Sequence, residues 1–178
     1  MERPCFSDNQ IHQLDQAIEI AEDIVGDHFK ISTAEWKHYR YDIRSLKYLY
    51  PEEITDIAYA QILRYTQHPQ ERFRGSLRGE YFKICLQDHV ILKTLNTNSD
   101  LLFVPFLVYI VTHELIHIVR FARFLQHFIA NESEQIEEER RVHHLTQDLL
   151  KKRKISGMES TLQFFSEYLP IDVFQAHK

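Results

Sequence analysis

The chain is poor in the residues that punctuate and staple. Four glycines are spread over 178 residues, with no low-complexity stretch, no internal repeat and no linker-like run. This argues against a string of modules and for one domain spanning 1–178. Cysteine is also scarce. Cys5 and Cys85 make neither a disulfide framework nor a CxxC metal pattern. Basic excess is missing too. The formal charge is −5, so no electrostatic footprint for nucleic acid is present. The one basic cluster, Lys151-Lys152-Arg153-Lys154, closes a helix-like segment, where cations suit the helix dipole.

Long uninterrupted apolar runs are lacking as well. MERPCFSDNQ holds no apolar core of a secretory signal, and the expectation is a reducing, cytoplasmic setting. Residues 101–111 are apolar but short, and Pro105 interrupts them. Extending the run to membrane length takes in His113, Glu114 and His117, so no membrane span and no membrane partner are expected.

What remains is ordinary core-forming material with helical and strand-like periodicity. Ile11, Leu14, Ala17, Ile18, Ala21, Ile24 and Val25 recur at helical spacing behind a cap at Ser7 or Asp8. Residues 33–48 are mixed and read as a short helix. Pro51-Glu52-Glu53 resembles a helix first turn, running through Ile62 and Leu63 and stopping before Pro69. Together these give a helical N-terminal part over 1–70. Tyr81–Leu86 and Val90–Leu95, separated by Gln87-Asp88-His89, read as a β-hairpin over 78–96. A long apolar helix should cover 100–128. Asn131 with Glu134 resembles a capping box opening another helix over 132–152. Gly157 breaks that pattern, and an amphipathic segment follows at 158–168. The expected class is α+β, predominantly helical, with a small antiparallel hairpin sheet beside the long helix.

The chemistry concentrates in His113-Glu114-Leu115-Ile116-His117, set inside VTHELIHIV. Histidines at i and i+4 share one helix face and can grip a single Zn²⁺. Glu114 projects to one side, where a carboxylate can take the proton of a water made acidic by the metal. In this motif, its apolar flanks and the strand-like segment before it, the chain resembles the zincin metallopeptidases, whose signature is HExxH on an active-site helix. The resemblance covers about residues 80–145. It implies one Zn²⁺ per chain, Glu114 as general base, and a peptide or protein substrate lying extended along the hairpin edge.

A third ligand must come from elsewhere. The metzincin extension is absent, because Arg120 and Arg123 stand where its glycine and histidine would be. The gluzincin pattern implies a glutamate on a following helix, and Glu137-Glu138-Glu139 lie at that distance. Ile136, Val142, Leu145, Leu149 and Leu150 define the apolar arc of that helix. Glu139 falls inside the arc, Glu138 at one edge, and Glu137 points away. Glu139 is therefore the chosen ligand. His143, four residues on, becomes its orienting partner or the alternative ligand, where the family usually places an aspartate. His144 is expected to be exposed, Arg140 and Arg141 to pair with nearby carboxylates, and Tyr109, one turn before His113, to be a core tyrosine.

Two other readings compete. A di-iron bundle uses Glu-x-x-His on two helices, and Glu114 with His117 fits one copy. Position 140, where a second copy needs glutamate, is Arg140. A helical interaction module with structural histidines predicts no bound metal.

Overall fold

The computed structural model describes residues 3–65, 81–123 and 130–167. Among these residues six α-helices and three short strands make a mostly helical α+β fold. Helix α1 spans Asp8–Phe29 and starts at a capping box, with Ser7 and Gln10 serving each other's backbone N–H groups. A one-turn helix, α2, covers Thr33–Trp36. Strand β1 (Tyr41–Arg44), two 3₁₀ turns at Leu46–Tyr48 and Pro51–Glu53, and strand β2 (Ala60–Tyr65) complete the first segment. Strand β3 (Tyr81–Leu86) leads into α3 (Asp88–Thr97) and α4 (Phe103–Ala122). Helices α5 (Glu132–Lys151) and α6 (Met158–Glu167) follow.

Several local expectations are corrected. The hairpin over 78–96 does not form: Tyr81–Leu86 is a strand, but Val90–Leu95 lies in helix α3. The apolar residues there repeat with helical as well as β-like character, and the helical choice buries Ile91. The buried Gln87 side chain marks the switch, donating to the Glu53 carbonyl and accepting from Thr55 N–H. The helix expected after Pro51 is only a 3₁₀ turn, and Ile62 and Leu63 belong to β2. Within 33–48, the short helix ends at Trp36 and β1 follows. The sheet is accordingly three-stranded and mixed, in the order β1-β3-β2. β1 runs parallel to β3 and β2 antiparallel to it. The expected ends of the N-terminal part (66–70), the hairpin (78–80), the long helix (124–128) and the last segment (168) lie outside the described residues.

Helix α4 is the axis of the fold. It is apolar around nearly its whole circumference, and such a helix is stable only when surrounded. Every residue from Pro105 to Val119 is buried. The helix has the length and hydropathy of a membrane span, yet 83% of its apolar window is buried within the protein. Helices α1, α5 and α6 and strand β2 pack against it. Phe165 of α6 stacks on Tyr109 of α4 at 3.8 Å between ring centres. Gly157, before α6, adopts φ 80°, a conformation favouring glycine. A Cβ there would also meet Leu102 at 2.6 Å.

Candidate metal centre

Helix α5 brings its buried face to the side of α4 that carries HELIH. Its start is fixed by the expected capping box: Asn131 Oδ1 accepts from Glu134 N–H, and the Glu134 carboxylate accepts from Asn131 N–H. Seven residues on, Glu139 reaches both histidines. Its Oε2 lies 3.2 Å from His113 Nε2 and its Oε1 3.1 Å from His117 Nε2. The two Nε2 atoms are 3.2 Å apart. One donor atom from each residue falls within 4.8 Å of the other two, and all three residues are buried. This group can hold a metal ion.

The chemistry of the donor set fits such an ion. Three donors arranged tetrahedrally at about 2.0–2.1 Å from one centre stand about 3.3 Å apart, close to these separations. Burial holds the His113 imidazole down to about 4, against the upward pull of Glu139. It is therefore neutral near pH 7, the form that ligates metal.

Glu114 is buried beside them. Its carboxyl is pushed up to about 8, chiefly by burial; His117 opposes the shift and Glu139 adds to it. No residue among those described donates a hydrogen bond to it. A nearby divalent cation would favour its ionised form.

A polar ladder runs between the antiparallel helices on both sides of the trio. One turn before His113, the Tyr109 hydroxyl lies 2.8 Å from His143 Nδ1. Beyond His117, the Arg120 guanidinium holds both carboxylate oxygens of Glu138, with Nη2 at 3.0 Å from Oε2. Arg141 adds a second guanidinium to Glu138 at 2.8 Å. Arg120 from α4 and Arg141 on α5 thus both pair with Glu138, the neighbour of Glu139.

The structure separates the candidate glutamates as follows. Glu139 joins the histidines, Glu138 faces Arg120, and Glu137 is exposed, paired with Arg141. His143 does not join the trio. It is buried against Tyr109, and burial, reinforced by His144, holds its imidazole down to about 4. His144 is exposed. Tyr109 is a core residue, fully buried, but its hydroxyl also tethers α5. The Arg120–Glu138 bridge went unassigned in the sequence. Its signal was an arginine three residues after His117, on an otherwise apolar helix.

Compared with models of protein families, with curated proteins and with solved structures, the chain matches none.

Proposed function

We propose that this chain is a zincin-like zinc metallopeptidase of the gluzincin type, with Zn²⁺ held by His113, His117 and Glu139. The observation that carries the reading is the buried convergence of those three donors within 4.8 Å. Zinc bound there would supply Lewis acidity and bring the pKa of a water toward about 7. Glu114 stands next to the first ligand with a carboxyl that has no donor among the described residues. In its ionised form it takes a proton from water, then returns it to the leaving amine. Burial raises the basicity of this carboxyl above that of an exposed glutamate, and a nearby dication would favour the ionised form that accepts the proton.

Tyr109 and His143 keep α5 in register, so that both Glu139 oxygens stay on the histidines. The peptide or protein substrate would add a strand to the sheet. β3 lies between two partners, so the hairpin edge first expected for this purpose gives way to β2, which packs against α4 and pairs with β3 on one side. The resemblance to zincins in the HELIH motif supports this placement beside the metal helix.

A second reading has its own observation. His113 and His117 are 0% exposed, Glu114 2% and Glu139 5%. So closed a site favours a protein that holds metal without turnover.

The two readings separate by experiment. Elemental analysis of the purified chain should give one zinc per chain; no metal would leave only a helical interaction module, and two irons a carboxylate bundle. Cleavage of a peptide library should vanish in Glu114→Gln while zinc stays. Zinc without cleavage in the unmodified chain selects the second reading. Loss of zinc in Glu114→Gln would make Glu114 a ligand. Glu139→Ala should lose the metal and His143→Ala keep it; the reverse would make His143 the third ligand.

A further inference from the structure

A second place in the molecule combines shape and chemistry. A cavity of about 500 Å³ opens where α1, the end of α2 with the segment after it, and the sheet meet. None of its lining residues belongs to α4 or α5. Behind Trp36, Gly26 on α1 leaves room for the indole: a Cβ at Gly26 would lie 3.1 Å from the indole nitrogen. Trp36 then stands edge-on to Tyr39 at 60° and 5.5 Å, and to Tyr41 at 72° and 5.9 Å. Rings at such angles make the adjoining walls of a box rather than a flat stack. Tyr81 lines the same cavity. Glu22, one turn before Gly26, adds a carboxylate, which accepts a hydrogen bond from the Tyr41 hydroxyl.

Elsewhere the chain puts its own cations on aromatic faces: Lys47 on Tyr48, Lys83 on Tyr50, Arg123 on Phe29. Among the described residues no cation lies over the face of Trp36, Tyr39 or Tyr41; Arg123 donates to the Tyr39 hydroxyl at 2.9 Å, and Lys37 and Arg40 line the cavity. The cavity thus combines aromatic rings and a carboxylate with two basic side chains.

We propose that this cavity binds a zwitterion with a quaternary ammonium at one end and an anionic group at the other, of the phosphocholine class. A quaternary ammonium donates no hydrogen bond. It is recognised by the negative faces of aromatic rings and by a nearby carboxylate, which Trp36, Tyr39, Tyr41 and Glu22 supply. Lys37 and Arg40 match the phosphate. The inference is independent of the metal site.

Trp36 is the only tryptophan, so its emission reports on this cavity alone. Titration of the full chain with phosphocholine should change that emission saturably, and calorimetry on the same samples covers a ligand that leaves the indole unperturbed. Glu22→Gln keeps an acceptor for Tyr41 and should weaken binding at least tenfold. Lys37→Ala with Arg40→Ala should weaken phosphocholine by a similar factor and leave tetramethylammonium unchanged. Co-sedimentation with phosphatidylcholine vesicles, competed by free phosphocholine, would place the same headgroup on a lipid; binding of the free compound alone would place it on a soluble ligand. No saturable binding by either method, or undiminished binding in Glu22→Gln, overturns the proposal.

Discussion

Two buried polar clusters differ in how they settle their charge. Beside the sheet, Lys83 Nζ sits 2.6 and 2.7 Å from the two Glu53 oxygens. The Tyr65 hydroxyl and the Tyr50 N–H donate to the same carboxylate at 2.7 and 2.8 Å. Cation, anion and donors are all supplied by the chain. Between α4 and α5, the neutral His113 imidazole, His117 and the Glu139 carboxylate instead turn their ligating atoms toward one another. The adjacent arginines go to Glu138. The first cluster is complete as built and reads as structural. The second has the composition of a site that takes a cation from solution.

That contrast can be broken in order of effect. His117→Ala should take metal from one per chain to none by elemental analysis, while the Glu53 cluster stays intact. Lys83→Met should do the converse. It leaves a buried carboxylate unpaired and should cost about 3–5 kcal/mol in urea denaturation, with metal content unchanged. Adding Glu53→Leu should recover much of that loss; a double variant no better than the single one would show that Glu53 was not the cause.

Arg120→Met probes the surroundings of the candidate metal site. Freed from its guanidinium, Glu138 should let α5 shift, weakening metal affinity about 10- to 100-fold in a chelator competition. Arg120→Lys, keeping the charge but not the fork, should recover part of the affinity. Acid tests the sheet cluster next. Burial alone would push the Glu53 carboxyl up, but Lys83, Tyr50 N–H and Tyr65 hold it below its ordinary value. A lowered folded pKa contributes stability above the unfolded value of about 4.3, and that contribution is lost as pH falls through the folded one. The urea midpoint should therefore drop on acidification below about pH 4–5, and Glu53→Gln should remove that part of the slope. Last, Asn131→Ala should cost about 1 kcal/mol through the lost cap on α5, with metal stoichiometry intact.

The parts of this molecule legible in the sequence are those fixed by neighbours a few residues away. The cap at Ser7, the capping box at Asn131 and the apolar arcs of α1 and α5 are of this kind, and the arc of α5 holds Glu139, which is buried beside the histidines, while Glu137 outside it is exposed. Of the sheet, the strand Tyr81–Leu86 was legible but its partners β1 and β2 were not, because they are remote in sequence. β1 pairs with β3 through Tyr41 and Phe82, and β2 contributes Ile62, which local signals had assigned to a helix. Val90–Leu92 carry β-type residues into α3, where tertiary packing of Ile91 overrides propensity. The Glu53–Lys83 pair follows from the same remote contacts, as does the aromatic cavity, whose walls come from α1, the end of α2 with the segment after it, and the sheet.

Asp88 has a consequence in time. Its carboxylate accepts from Phe6 N–H at 2.9 Å and from Leu46 N–H at 3.0 Å, 82 and 42 residues upstream. One side chain therefore clasps the start of the chain and the turn after β1. On a ribosome adding about 5–20 residues per second, Leu46 waits about 2–8 s for that acceptor to be synthesised. Through that interval the first strand has neither its clasp nor its partner β3, and the nascent N-terminal half is open to holding chaperones and proteases.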